Sequence, residues 1–197
     1  VLLSTAEAAG QLPRQAKQYQ RELTRIAQQH WGLGAPVARF GAQVHMESTW
    51  RTKARSHVAY GLAQFTAGTA RWISRAYHEL GPPAPYSPRW ALRALVLYDR
   101  HIYERVEPMR SEMVPECDRW AMVLAAYNGG PGWLRRDRRL AARRGSDPDR
   151  WWGEVSEHSA RAERHRKGNR WYVRRILFRL EPRYSQAGWG GESVCRG

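Results

Sequence analysis

A chain of 197 residues can bury a full hydrophobic core, so it needs neither a structural metal nor a dense disulfide framework, and it fits one domain with short appendages. Its formal charge of +15 points to a polyanionic environment such as nucleic acid, anionic lipid or an acidic wall polymer, without choosing among them. No apolar run reaches the length of a membrane-spanning helix. Of the 33 basic side chains only Lys17, Lys53 and Lys167 are lysines, an arginine bias that base composition can produce without selection for phosphate binding. Ten tryptophans and nine tyrosines are a high aromatic load, of a kind that builds cores and lines sugar- or base-binding grooves.

The chain opens with VLLSTAEAAG, which resembles the end of a removed signal or anchor segment with small residues around a cleavage point; trimming of a longer chain explains it equally well. Residues 1–14 are read as an N-terminal arm. Gln15 to His30 reads as an amphipathic helix with Tyr19, Leu23 and Ile26 on one face, ended by Gly32 and Gly34. A second helix starts near Pro36, and its apolar stripe of Val37, Phe40, Gly41 and Val44 brings Glu47 onto the same face in the last turn.

Arg51 to Gly61 shows no periodicity and reads as an ordered loop, followed by the short apolar Leu62 to Phe65. Thr69 to Leu80 is a helix stopped by Gly81 and the prolines of GPPAPYSP. Ser87 and Pro88 form a cap and first turn for a longer helix through Val106, ended by Pro108. A helix over Pro115 to Tyr127 closes at Asn128, Gly129, Gly130 and Pro131, and a basic helix over Trp133 to Arg144 presents its arginines on a solvated face. Asn169 caps a last helix, Arg170 to Leu180, terminated by Pro182; residues 183–197 form a glycine-rich tail. Nothing alternates with a period of two, so the fold is mainly α.

Cys117 and Cys195 fit no metal spacing. Either they form one disulfide tying the tail back, which suits an oxidising compartment, or they remain two thiols. His45, His57 and His78 lack the spacing and neighbouring carboxylates of a metal site, and no metal or other cofactor is expected. GGPG at Gly129 to Gly132 lacks the lysine, hydroxyl and preceding strand of a phosphate loop.

Glu47 is the residue with the clearest chemical potential. No other Asp or Glu follows it until Glu79. A carboxyl on the buried face of a helix end loses hydration, which raises its pKa and keeps a proton for donation to a leaving oxygen. The bland alternative is an inert, half-exposed helix-terminal Glu.

The order of motifs weighs against that alternative. Glu47-Ser48, Gly61-Leu62-Ala63-Gln64, Ala126-Tyr127-Asn128-Gly129 and Tyr172-Val173, taken together, resemble the soluble lytic transglycosylase family, whose catalytic domain is goose-lysozyme-like. The resemblance covers roughly residues 15–182. It implies a lysozyme-like helical domain with a substrate groove, acting on the β-1,4 bond between N-acetylmuramic acid and N-acetylglucosamine. Glu47 would be the sole catalytic acid/base. Ser56 would hydrogen-bond near it and the acetamido group, Gln64 would bind the sugar, Tyr127 would orient Glu47 or steady charge beside it, and Asn128 would hold the groove wall. Ser48 and Gly61 would be structural supports.

In that family the substrate's own N-acetyl group stabilises the positive centre and its 6-hydroxyl attacks, so no second carboxylate is needed. Such substrate-assisted schemes are exceptions to the usual pair.

The sequence also departs from the family pattern. Ala63 stands for the usual Met, Thr66-Ala67 for Met-Pro, and Gly168-Asn169 for Glu-Thr, with Glu163 as a substitute approaching from elsewhere. The implied partners are peptidoglycan glycan strands, with electrostatic contact to anionic wall polymer or lipid, no specific nucleic acid, and a monomeric state. The implied location is the periplasm or cell wall after export, in wall remodelling or phage lysis. Two rivals stay open: a hydrolase on the same fold with Asp99 or another distant acid positioning water, and a non-catalytic peptidoglycan- or nucleic-acid-binding module.

Overall fold

The computed structural model describes residues 11–195; residues 1–10, on which most of the expected N-terminal arm falls, lie outside the described residues. The chain folds into two compact units, one of residues 11–95 with Arg179–Ser193, the other of Val96–Phe178 with residues 194–195. Helix dominates both, as expected for a mainly α fold.

In the first unit, α1 (Arg14–Trp31) follows Pro13 and ends where Gly32, at φ 79°, donates its N–H to Gln28 O. Its buried face is Ala16, Leu23, Ile26 and Ala27. α2 (Val37–Ser48) starts after Pro36, and nine of its twelve residues are buried, because it packs between α1 and α8 (Glu181–Gln186). Gly41 permits that packing: a Cβ there would lie 2.8–2.9 Å from Tyr184 and Trp189 ring atoms.

The expected loop before Gly61 contains a strand. β1 (Ala59–Tyr60) pairs antiparallel with β2 (Phe65–Thr66), Ala59 opposite Thr66, and Arg55 adds a bridge to Tyr60. Thr66 then caps α3 (Ala67–Ala76), its hydroxyl accepting from Thr69 N–H at 3.1 Å. The expected single helix to Leu80 breaks at Tyr77 (ψ 85°) and resumes as a 3₁₀ turn, His78–Leu80. α4 (Pro88–Tyr103) is capped by Ser87, whose Oγ accepts from Trp90 N–H at 3.4 Å. It ends earlier than the expected Val106 because successive i to i+3 bonds, Arg105 N to Ile102 O and Val106 N to Tyr103 O, tighten the chain.

In the second unit, α5 (Glu116–Gly129) packs on α6 (Pro131–Arg143) and α7 (Glu163–Arg175). Asn128 and Gly129 are the last residues of α5, with Gly130 (φ 96°) as the hinge and Pro131 as the first residue of α6. The basic helix is solvated on one side only, since Arg138 is buried and paired with Asp149 at 2.6 Å. Asn169 caps nothing. It sits inside α7, buried, where its amide reaches α5. Nor does Pro182 end the last helix: α7 widens into a π turn, Ile176–Leu180, and Pro182 occupies the first turn of α8, where its missing N–H costs nothing. The expected glycine-rich tail therefore begins with a helix whose Tyr184 is fully buried.

Cys117 and Cys195 are joined, with Cα atoms 4.9 Å apart, and both belong to the second unit. No helix among the described residues is long and apolar enough to cross a membrane.

Candidate active site

Glu47 lies in the last turn of α2 and is half-buried. Two devices fix this helix. At its start, Arg39 makes a bidentate pair with Glu181 (Nε to Oε2 3.1 Å, Nη2 to Oε1 2.8 Å) and also donates to Glu192 O at 3.2 Å. Burial pushes the Glu181 carboxyl up, and the Arg39 guanidinium pulls it back. At the helix's end, Trp50 donates to Tyr184 OH at 2.6 Å, and Tyr184 OH lies 3.1 Å from His45 Nδ1. Tyr19 stacks on Trp50 at 6.1 Å, and Trp189 meets both Trp50 (5.6 Å) and Tyr184 (4.8 Å). This aromatic cluster holds the turn that carries Glu47. His45 belongs to it, and no group of three His, Cys, Asp or Glu side chains among the described residues is arranged for a metal.

The backbone after Glu47 is unusual. Thr49 (φ 52°) and Trp50 (φ 61°) are successive left-handed residues, and the third non-glycine residue with positive φ among those described is Gln64 (φ 47°). Such conformations cost about 1–3 kcal/mol each and persist where the surroundings over-determine them, commonly at functional sites. Thr49 and Trp50 follow the Glu47-Ser48 pair, and Gln64 is itself one of the residues singled out in the sequence.

Ser48 is buried, its hydroxyl donating to Val44 O at 3.2 Å. Ser56 is exposed and opens the hairpin: its N–H donates to Ala59 O at 3.0 Å and its Oγ accepts from Ala59 N–H at 3.1 Å. Gly61 (φ 73°) donates to Ala54 O, and a Cβ on it would collide with the Pro85 carbonyl oxygen. Gln64 is half-buried, its Nε2 donating to Gly61 O at 2.9 Å. Glu47, Ser48, Ser56, Gly61 and Gln64 thus all belong to the first unit.

Tyr127 and Asn128 belong to the second unit, at the end of α5. Tyr127 is half-buried with its ring 5.5 Å from Tyr98, a phenol that burial, then the Asp99 charge, raises to about 12. Asn128 accepts from Asn169 Nδ2 at 2.9 Å, and the same Nδ2 donates to Ala125 O at 3.0 Å. Asn169 therefore braces the turn that carries Asn128, a role the sequence does not reveal. Glu163 is exposed and paired with Lys167 at 2.9 Å. Asp99 has no exposed surface.

A family model described as the transglycosylase SLT domain matches residues 22–149. Membrane-bound lytic murein transglycosylase F of Vibrio vulnificus is 33% identical over 128 residues, 64% of this chain and 21% of that protein. The protein of the same name from Alcanivorax borkumensis is 34% identical over 122 residues, 61% of this chain and 22% of that protein. Membrane-bound lytic murein transglycosylase F 2 of Alkalilimnicola ehrlichii is 35% identical over 119 residues, 59% of this chain and 24% of that protein. The aligned part of this chain thus spans between a fifth and a quarter of those relatives. With the motifs of Glu47, Gln64 and Asn128 inside the matched residues, the chain belongs to the transglycosylase SLT domain family.

Proposed function

We propose that this domain is a peptidoglycan lytic transglycosylase that cleaves the β-1,4 bond between N-acetylmuramic acid and N-acetylglucosamine, with Glu47 as its single acid/base. The observation that carries this is the lack of a companion carboxylate on the elements that carry Glu47 and Gln64. The described part of the first unit has no aspartate, and its carboxylates are Glu22, Glu47, Glu79, Glu181 and Glu192. Only Glu47 lies on α2 or the hairpin, and Glu181 is locked in its pair with Arg39.

In this reading Glu47 donates its proton to the glycosidic oxygen as the bond to C1 breaks, and the neighbouring N-acetyl carbonyl stabilises the charge at C1. The Glu47 carboxylate then takes the proton of the sugar's 6-hydroxyl as that oxygen bonds C1. The product is a 1,6-anhydro sugar, the acid is regenerated, and no water is consumed. Ser56, whose oxygen already accepts from Ala59 N–H, keeps its hydroxyl proton for an acetamido carbonyl. Gln64, with one N–H spent on Gly61 O, keeps its Oε1 and second N–H for the sugar. Tyr127 and Asn128 are substrate-binding residues. Ser48 and Gly61 shape the backbone.

The disulfide fits an oxidising setting, so the domain works in the periplasm or cell wall after export, as a monomer whose positive charge favours anionic wall polymer or lipid.

Mass spectrometry of soluble products released from purified peptidoglycan tests the reading. The native protein is expected to release anhydro-muramoyl products, and Glu47→Gln to lose at least about 100-fold in rate. Reducing-end products would make the domain a hydrolase. Products from neither protein would leave a binding role.

A further inference from the structure

Beside Asn128, within the second unit, lies a recess of about 420 Å³ lined by Asn128, Gly129, Trp133, Arg161, Ala162 and His165. No carboxylate lines it. Arg161 is built into its wall: the side chain is only 10% exposed, its Nη2 donates to Asp137 Oδ2 (3.2 Å) and Asn169 Oδ1 (3.3 Å), and its Nε donates to Ser159 Oγ (3.3 Å). Its Cζ is 5.8 Å from the Trp133 ring. These partners engage Nε and one terminal nitrogen. The other, Nη1, lies over Gly129, where any Cβ would collide with it. Gly129 therefore keeps open the approach of the guanidinium to the turn that carries Asn128.

A guanidinium with two nitrogens locked and a third presented at a lined recess is pre-organised for an oxyanion, with little rotamer freedom left to lose. The surrounding charge agrees. Asp137 is the one carboxylate on Arg161, and its burial disfavours its charged form before Ser159 and Arg161 draw it back. Arg136 stands 4.9 Å from the Trp133 ring, and Arg164 donates to His165 Nε2 at 3.3 Å, so two further cations touch residues that line the recess.

We propose that this recess is a carboxylate subsite, with Arg161 as its specificity-determining residue and Trp133 as the apolar wall for the ligand's carbon skeleton. The proposal rests on the transglycosylase reading through Asn128, a substrate-binding residue in it. In a peptidoglycan strand, carboxylates come from two sources: the stem peptides or, where a peptide is missing, the lactyl group of the muramic acid.

The test compares kcat/KM of the full chain on three substrates: intact strands, the same strands with their carboxylates converted to amides by carbodiimide and ammonia, and strands stripped of peptides by an amidase. The native protein is expected to lose on the order of tenfold on the amidated strands, mostly through KM. In the double variant Arg161→Gln/Asp137→Asn, which leaves no buried carboxylate unpaired, the ratio between intact and amidated strands is expected to fall towards one. Arg161→Lys, which keeps the charge and loses the fork, is expected to fall between.

Stripped strands that behave like intact ones show that the lactyl carboxylate freed by the amidase fills the recess as well as a stem carboxylate does; stripped strands that behave like amidated ones assign the stem peptide alone. A native protein indifferent to amidation, or a double variant weakened equally on all three substrates, would overturn the subsite and leave Arg161 a structural clamp. Should the native protein cleave none of them, the transglycosylase reading fails instead. Binding of intact against amidated strands, followed by tryptophan fluorescence, then decides the recess: weaker binding on amidation supports it, and equal binding overturns it.

Discussion

At Gly61 two demands meet in one residue. The hairpin turn needs φ 73°, and the Pro85 carbonyl occupies the space a side chain would take. Gly81 has the first demand alone, with φ 67° and open space around it. Gly61→Ala is therefore expected to cost on the order of 3 kcal/mol, against about 1 kcal/mol for Gly81→Ala. In thermal unfolding of a chain this size that is a fall of roughly 6–12 °C in Tm against 2–4 °C. Equal losses in the two variants would mean that the loop from Pro82 to Tyr86 yields and does not brace the hairpin. The comparison matters for chemistry because Gln64 Nε2 bonds the Gly61 carbonyl: displacing Gly61 displaces the side chain proposed to bind the sugar, so activity is expected to fall in Gly61→Ala at temperatures well below its unfolding.

The elements owe their positions to side chains that arrive from far along the chain, α2 above all. Arg39 and Glu181 are 142 residues apart in sequence and are 1% and 2% exposed. Removing one partner of a buried pair leaves an uncompensated charge, so Glu181→Gln is expected to destabilise by about 3–5 kcal/mol, while Arg39→Met with Glu181→Leu recovers most of the loss. Chemical denaturation of the three proteins checks this, and a double variant no better than the single one would show that the Arg39 bond to Glu192 O carries the stability instead.

What could and could not be read from the sequence follows the same division between local and distant causes. The helix start at Ser87, the stop at Gly32 and the stripe that ends in Glu47 are local signals, whereas the Thr66 cap starts its helix two residues before the expected Thr69. The local signals rest on a cap hydroxyl, a positive φ and a 3.6-residue period. Strands of two residues are too short for alternation to show. Arg39 and Arg138 look like surface arginines until their distant carboxylates are known. Asn169 looks like a cap because its partner, the Ala125 carbonyl, is 44 residues away. The support of Glu47 by Tyr184 and Trp189 was hidden in what reads as a glycine-rich tail. The family was legible in the order of its motifs; the distant residues that hold those motifs in place were not.

On the scale of the whole chain, the tail has two separate duties, since Tyr184 and Trp189 complete the first unit and Cys195 is bonded into the second. The disulfide closes a loop of 78 residues in sequence. Cross-linking so long a loop restricts the unfolded chain, and the chain-entropy estimate is about 4–5 kcal/mol. Reduction is therefore expected to lower the Tm by roughly 8–20 °C, and Cys117→Ser with Cys195→Ser to match reduction. Trp152 supplies a local reporter, because its Nε1 lies 3.2 Å from Cys117 Sγ: tryptophan emission is expected to change on reduction before global unfolding begins. A domain with this dependence is most stable where thiols are oxidised, which would support the proposed exported form. Full stability and unchanged emission under reductant would remove that constraint and with it the argument for an extracytoplasmic site of action.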